Sequence, residues 1–304
     1  MSSNAETHDQ RGSLGWRVVA GAEHAALPSR LFVTTQDRMR LLRRHLKPGM
    51  RFVELGCAPG KMLAWVATQG VQVAGMDYSA QGIEWGRQLM HALGLEADLR
   101  CEDLFSTTFS RESFDLVHSA GLVEHFDDPL PLVKIHLDLV RPGGTVLISV
   151  PNYGGVYGAM GRRFGPSDFA LHNLATTSRA GMESILRQFP GMRGHVEVSG
   201  RCFASRVLFD EKLPRGVGAL LEYATNGLGL IQPFRIGWLC PHIVLEIVKP
   251  LKKGGFGPRP EALNRRTNNS CKVNGSRKAE TDSVRGGFRL QPGRPRLRLL
   301  PRRR

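Results

Sequence analysis

Residues 51–77 read RFVELGCAPGKMLAWVATQGVQVAGMD, two short apolar runs separated by a glycine-bearing turn and a helix-like stretch. The first run, 51–55, predicts a strand that leads into the turn 56–60. The second run, 71–76, predicts another strand and is followed by Asp77. Glycine in such a turn lets the backbone approach a ligand closely, and an acidic residue about 20 positions later is typical of contact with ribose hydroxyls. The stretch therefore predicts a site for a ligand that carries a ribose.

Apolar runs and helix-like patterns alternate along the rest of the chain. Strands are predicted at 51–55, 71–76, 97–102, 114–119, 145–150, 195–201 and 242–248. Helices are predicted after a cap at Thr34 or Thr35 and at 60–69, 79–93 (capped by Ser79), 129–140 and 179–189. This alternation predicts an α/β fold, a Rossmann-like doubly wound seven-stranded sheet. No regular helix pattern separates the last two strands, so we expect a mostly parallel sheet with an antiparallel edge strand.

Charge divides the chain into a near-neutral part and a basic end. The formal net charge is +15, but residues 251–304 hold 16 Lys and Arg against 3 Asp and Glu, which leaves +2 for the rest. We predict a flexible leader at 1–28, one domain at 29–250 and a basic, disordered tail at 251–304. Two interpretations of the tail stay open: a solvated extension without function, or a segment that contacts nucleic acid or an acidic surface.

Cysteine use and the first residues bear on the compartment. The five cysteines are scattered and form no Cys-x-x-Cys pair, which favours a reducing compartment and no structural zinc. The polar start MSSNAETHDQRGS has no apolar signal region, and no run of about 18 apolar residues occurs in the chain. We therefore expect a cytoplasmic protein without a transmembrane segment. The sequence does not indicate an oligomeric state.

Polar residues stand at four of the predicted strand ends. They are Glu54 with the turn that follows it, Asp77, the pair Glu102-Asp103, and the segment 118–125. Ligands of open α/β sheets bind outside the carboxyl ends of the strands. We expect Asp77 to contact a ribose and Asp103 to accept the amino group of an adenine, so a nucleoside would lie across these strand ends.

A series of motifs in one order resembles the class I S-adenosylmethionine-dependent methyltransferases over about residues 30–250. The segments are ELGCAPG at 54–60, GMD at 75–77, EDL at 102–104, FDLV at 114–117, EHF at 124–126, LVRPGG at 139–144 and SVPN at 149–152. Within that superfamily they are most similar to the group that methylates small molecules. The resemblance implies S-adenosylmethionine as cofactor, and methyl transfer by in-line displacement to an O, N or C nucleophile of a small-molecule acceptor.

The resemblance also implies roles for individual residues. Those expected to bind the cofactor are Glu54, Gly56, Cys57, Ala58, Gly60, Asp77, Asp103, Leu104 and Ser119. If the acceptor is a hydroxyl, His125 is the first candidate for a general base and His172 the second. Some members of the resembled family bind magnesium through Glu-x-x-Glu-His; because Gly121 stands at the first of these positions, no metal site is predicted.

Alternatives to these assignments remain at three places. The turn has Ala58-Pro59 where the family has a glycine, and an Ala-Pro-Gly turn also occurs in ribosomal RNA 2′-O-methyltransferases. An RNA- or nucleic-acid-associated methyltransferase, or a cofactor-binding factor that uses the basic tail, is therefore the second hypothesis. The ribosomal RNA 2′-O-methyltransferases use a lysine-aspartate-lysine-glutamate tetrad. This chain has Ser-Ala-Gly at 119–121, where the aspartate of that tetrad would stand. Glu124 and His125 could instead be a structural pair, and His172 an ordinary surface residue.

Overall fold

The structure is a computed structural model that describes residues 32–203, 212–232 and 236–251. The leader predicted at 1–28 and all of the predicted tail except Leu251 lie outside the described residues. These two segments therefore remain predictions from the sequence.

Strands and helices alternate as the sequence predicts. The strands are β1 Arg51–Leu55, β2 Gln72–Asp77, β3 Ala97–Cys101, β4 Phe114–Ala120, β5 Val140–Pro151, β6 Arg193–Ser199 and β7 His242–Val248. The helices are α1 Val33–Arg43, α2 Lys61–Ala67, α3 Ala80–Ala92, α4 Leu130–Leu139, α5 Val156–Phe164, α6 Pro166–Phe169, α7 Arg179–Arg187 and α8 Arg215–Ile231. Helices α5, α6 and α8 had no counterpart among the predicted helices.

The strands form one seven-stranded sheet in the order β3-β2-β1-β4-β5-β7-β6. Strands β1 to β5 pair in parallel, whereas β7 is antiparallel to both of its neighbours, β5 and β6. The doubly wound sheet and the antiparallel pairing at this end are confirmed, with β7 one position in from the edge strand β6. The strand order reverses between β1 and β4, and in such sheets this reversal point is where ligands bind.

Helices cover both faces of the sheet. On one face α1, α2 and α3 enclose a core that contains Leu42, Trp65 and Ile83. On the other face α4 and α7 bury Leu132 and Met182 against the strands. Because both faces are covered, the central strands are apolar on both sides, as parallel strands of such folds require. The result is a three-layer molecule whose strand ends carry the polar residues.

Two helix starts differ in how their backbone donors are satisfied. Ser79 caps α3 as predicted, because its Oγ accepts a hydrogen bond from the Gly82 N–H at 3.0 Å. The cap predicted at Thr34 or Thr35 is wrong, since α1 begins at Val33 after Phe32 and has no side-chain cap. Instead, the Val33 N–H donates to the Asn226 side chain of α8 at 2.9 Å. A tertiary contact therefore replaces the local cap.

A small second cluster lies beyond the end of β5. Tyr157 of α5 is its buried centre, and its hydroxyl donates to the carbonyl of Leu239 at 2.7 Å and accepts the N–H of Phe203 at 3.1 Å. Asn152 donates to the carbonyl of Cys240 at 2.9 Å. These bonds hold α5 against the segment that precedes β7. No helix among the described residues has the length and apolar character needed to cross a bilayer.

Candidate functional site

The turn between β1 and α2 is held by its own backbone and by β2. The N–H groups of Gly56 and Cys57 both donate to the carbonyl of Met76, at 2.9 and 3.1 Å, and the Gly60 N–H donates to the carbonyl of Cys57 at 2.7 Å. Gly56 and Gly60 have φ angles of 72° and 82°, in the left-handed region that glycine adopts without steric cost. The Ala58–Pro59 peptide bond is cis. The turn therefore has a defined shape at the end of β1.

Helix α3 approaches this turn because it presents glycines to it. A Cβ built on Gly82 would lie 2.5 Å from the Cβ of Ala58. A Cβ built on Gly60 would lie 3.3 Å from the Cα of Gly86. Neither distance leaves room for a larger side chain without displacement of the backbone. The glycines of α3 can be seen in the sequence, but the sequence does not show that they contact the turn.

Asp77 lies at the end of β2 and fixes the turn from the other side. Its Oδ2 accepts the Ala58 N–H at 3.0 Å, and its Oδ1 accepts the Ser79 N–H at 2.9 Å. One carboxylate thus connects the turn to the start of α3. Each oxygen of an ionised carboxylate has a second lone pair, so the same group can accept further hydrogen bonds from a ligand.

Asp103 lies on the surface after β3. Its Oδ1 accepts the Phe105 N–H at 2.9 Å and so caps the short turn of 3-10 helix Leu104–Ser106. The carboxylate is exposed, whereas Leu104 is partly buried against the core. A ligand that lies across the strand ends could therefore meet a free carboxylate oxygen and the apolar side of Leu104 here.

Glu54 lies beneath the turn and not at the surface. It is 4% exposed, and its Oε1 is 3.2 Å from Nδ1 of the fully buried His118, while its Oε2 has no hydrogen-bond partner among the described residues. Neither ring nitrogen of His118 has a hydrogen-bond partner among the described residues, so the 3.2 Å approach to Glu54 is a close contact without hydrogen-bond geometry. Burial, followed by the charges of Glu54 and Asp77, raises the pKa of the Cys57 thiol, so the thiol stays protonated. Cys57 therefore contributes its backbone groups to the turn, and its side chain is a neutral thiol.

Ser119 belongs to a buried pair with His136 of α4. Both residues are fully buried, and His136 Nε2 is 2.8 Å from Ser119 Oγ. The Nδ1 atom of His136 is 2.8 Å from the carbonyl of Leu132, which requires a proton on Nδ1, so Nε2 accepts the Ser119 hydroxyl. Burial lowers the pKa of His136 to about 4 and keeps the ring neutral. The Ser119 hydroxyl thus points into the layer between sheet and helix, and a ligand at the strand end would meet the residues that follow it.

His125 and His172 come together although they are 47 positions apart in the chain. Their ring centroids are 4.9 Å apart, and the ring of Tyr153 meets His172 edge to face at 5.3 Å. The structure thus brings both predicted catalytic histidines into one cluster. Glu124 is part of this cluster, is 1% exposed, and burial raises the pKa of its carboxyl to about 8.

Asn173 holds the two segments of this cluster together. Its backbone N–H donates to the carbonyl of Glu124 at 2.6 Å, and its side-chain amide donates to the carbonyls of Phe126 and Asp127 at 3.0 and 2.9 Å. No local pattern in the sequence marks Asn173 for this role. The residue next to His172 therefore fixes the loop that carries His125.

The loop after β4 connects this cluster to the turn. Leu122 lies against Gly56, because a Cβ built on that glycine would be 3.3 Å from the Leu122 Cδ1. A Cβ built on Gly121 would lie 3.7 Å from Oε1 of Glu124. The turn, the loop and the histidine cluster thus lie side by side, in that order, at the carboxyl ends of the parallel strands.

Comparison with known proteins gives one family match and several partial likenesses. A family model described as a methyltransferase domain matches residues 28–189, just over half of the chain. Ubiquinone biosynthesis O-methyltransferase from Dinoroseobacter shibae is 31% identical over 134 residues, which is 42% of this chain and 54% of that protein. The chain thus spans about half the length of the curated relatives it matches.

Two solved structures are similar in fold at low sequence identity. A SAM-dependent methyltransferase from Archaeoglobus fulgidus has a TM-score of 0.50 and 16% identity, with 71% of this chain and 93% of that chain covered. The [4+2]-cyclase SpnF has a TM-score of 0.51 and 17% identity, with 82% and 96% covered. Because one of these neighbours is named for a cyclisation, the likeness shows the fold alone. The proteins named here give no support to the nucleic-acid hypothesis.

Proposed function

We propose, because this chain belongs to the methyltransferase domain family, that it transfers the methyl group of S-adenosylmethionine to a hydroxyl oxygen of a small molecule. The family and its methyl donor are those that the sequence motifs predicted. The relative from Dinoroseobacter shibae is named as an O-methyltransferase, which favours oxygen over nitrogen or carbon as the nucleophile. The contact of the turn with the loop that carries His125 supports this proposal more than any other observation.

The cofactor would lie across the ends of β1 to β4. In this proposal the backbone of Gly56, Cys57, Ala58 and Gly60 faces the methionine part, with Glu54 supporting the turn from below. Asp77 would accept the ribose hydroxyls, because each carboxylate oxygen can accept more than one hydrogen bond. Asp103 would accept the adenine amino group, with Leu104 against the ring. The backbone at Ser119 and the residues after it would line the sulfonium.

The methyl group would then face the loop that follows β4. Methyl transfer forms the bond between the acceptor oxygen and the methyl carbon as the bond from sulfur to that carbon breaks, and S-adenosylhomocysteine leaves. The enzyme mainly has to hold the acceptor oxygen about 3 Å from the methyl carbon, in line with the breaking bond. The hydroxyl proton needs an acceptor, and His125, which is partly exposed, is our first choice with His172 second.

The proposal is tested by transfer of an isotope-labelled methyl group from S-adenosylmethionine to hydroxylated aromatic compounds and to matched amines. We expect label on oxygen, and a lower kcat for His125→Gln with unchanged affinity for the cofactor. His91→Gln is the matched control, because His91 is exposed in the last turn of α3, away from the cluster. Label only on amines, or an unchanged kcat in His125→Gln, would contradict the assignment. The predicted cytoplasmic location belongs to the same proposal.

A further inference from the structure

Glu124, His125 and His172 bring one carboxylate and two imidazoles to a single point of the structure. We infer that these three side chains form a binding site for a divalent transition-metal ion of the zinc class. The inference concerns binding, which does not depend on the proposed function; only the role given to the ion below rests on it.

The three ligand atoms are close enough to share one ion. One ring nitrogen of each histidine and one carboxylate oxygen of Glu124 lie within 4.8 Å of one another. Ligand atoms of tetrahedral zinc are about 3.4 Å apart when each is about 2.1 Å from the metal. Side-chain rotations would have to close this difference when the ion binds.

The carboxylate of Glu124 supplies an independent observation. It is 1% exposed, and its Oε2 has no hydrogen-bond partner among the described residues. A buried polar atom without a partner costs about 1–3 kcal/mol, and more when the group is charged. A cation bound by this carboxylate would satisfy it.

The backbone around the cluster is built to hold these ligands in place. The Asn173 N–H donates to the Glu124 carbonyl at 2.6 Å, so the residue that follows one ligand is bonded to the backbone of another. The Asn173 amide donates to the carbonyls of Phe126 and Asp127, on the far side of His125. Two segments distant in the chain are thereby fixed at the cluster, which reduces the conformational entropy that metal binding would otherwise cost.

The ligand set selects the kind of metal. Imidazole suits zinc, copper, iron and nickel, whereas magnesium prefers oxygen ligands in octahedral geometry. The glycine at 121 removes one carboxylate from the Glu-x-x-Glu-His pattern, and the imidazole of His172 comes from a different segment of the chain. A site with one oxygen and two nitrogens therefore differs in chemistry from the magnesium site whose absence the sequence predicts.

Three protein ligands leave a fourth position open at a zinc-like centre. If the proposed function holds, an acceptor hydroxyl would take that position, where a Lewis acid lowers the pKa of the bound oxygen. In that case His125 would hold the ion and would not be the general base.

The test uses the purified full chain, treated with a chelator and then titrated with Co²⁺ and with Zn²⁺. Calorimetry gives the stoichiometry, and the visible spectrum of Co²⁺ reports nitrogen and oxygen ligands and reveals any thiolate ligand by a charge-transfer band. We expect one ion per chain, with affinity at least about 100-fold lower in Glu124→Gln and in His172→Gln. His91→Gln is the matched histidine control and should bind as the wild type does.

Each outcome supports or overturns the inference. Equal Co²⁺ binding by wild type, His172→Gln and His91→Gln would mean adventitious binding and overturn it, as would no binding at all or a thiolate spectrum. Circular dichroism and cofactor affinity show whether a variant is folded; if His172→Gln is not, His172→Asn and Glu124→Gln provide the comparison. Metal binding without methyl transfer would keep this inference and contradict the proposed function, and methyl transfer in a chain that binds no metal would do the reverse.

Discussion

The carboxylate of Asp77 accepts the backbone N–H of Ala58 at 3.0 Å, so the residue proposed for the ribose also holds the turn in shape. We expect Asp77→Ala to weaken S-adenosylmethionine binding by about tenfold or more, since a hydrogen bond to a charged group contributes about 1.5–3 kcal/mol. Calorimetry measures this, with Asp77→Asn to separate charge from shape. Asp138→Ala, which changes a carboxylate at the end of α4, is the control. Unchanged affinity in Asp77→Ala would remove Asp77 from the site.

Substitution of Gly82 by alanine should disturb the turn from the side of α3. The new Cβ would lie 2.5 Å from the Cβ of Ala58, so the turn or the helix must shift. We expect a loss of about 1–3 kcal/mol in the free energy of unfolding, together with weaker cofactor binding. In α8, Gly227 has nothing within 4 Å of a built Cβ, so Gly227→Ala should gain about 0.5–1 kcal/mol. Urea unfolding compares the two variants, and equal effects would contradict the close approach.

Stability should depend on pH through His136. Burial lowers its pKa to about 4 in the folded chain, whereas an unperturbed histidine titrates at about 6.5. Between these values the unfolded chain binds a proton that the folded chain does not, so the free energy of unfolding falls as the pH drops.

We expect the wild type to lose about 2 kcal/mol more than His136→Asn between about pH 7.5 and pH 5. Urea unfolding at both pH values gives this difference, and comparison with the variant cancels the other groups that titrate in the range. Parallel pH dependence in the two proteins would show that His136 is not the group responsible.

The side chain of Asn173 should matter for the acceptor and not for the cofactor. Asn173→Ala removes its bonds to the carbonyls of Phe126 and Asp127 and loosens the segment that carries His172. We expect a higher KM for the acceptor and an unchanged Kd for S-adenosylmethionine. Ser178→Ala is a control of similar cost, about 1 kcal/mol, because Ser178 caps α7 through the Gly181 N–H. A change in cofactor affinity in Asn173→Ala would mean that the two subsites are not separate.

Removal of residues 252–304 tests the second hypothesis. We expect methyl transfer and cofactor affinity to stay unchanged, since the described sheet is complete with β7, which ends at Val248. Retention of the full chain on immobilised RNA, lost in the shortened chain and reduced by salt, would instead support a role of the basic tail.

The strands and the turn after β1 could be predicted because each depends on residues that are close together in the sequence. Apolar runs predicted all seven described strands. The glycines after β1 predicted the turn, and Asp77 was predicted as the carboxylate beside it. The family match supports the motifs from which the resemblance was drawn. Period and turn residues carry this information within about ten positions of each element.

Contacts between distant segments could not be predicted in this way. The first helix has Asn226 as the partner of its first donor, and the cap predicted at Thr34 or Thr35 failed for that reason. Ser119 reads as a polar residue at a strand end, but its partner His136 lies on the buried face of α4. Asn173 reaches Phe126 across 47 positions, so its bond leaves no local signal. Helices α5 and α8 contain glycines, which lower helix propensity, and α6 has four residues, so the sequence did not indicate a helix at any of the three.

The position of β7 has a consequence for how the chain assembles during synthesis. Among the described strands, β6 pairs with β7 alone, and β7 leaves the ribosome after β6. Among the described strands, β5 and β6 each have one edge that pairs with β7, and until Val248 has emerged these two edges lack that partner. Unpaired strand edges favour association with other chains. The last of the described strands in the chain therefore joins β5 to β6, and a nascent chain that stops before β7 exposes the two edges that β7 covers in the folded sheet.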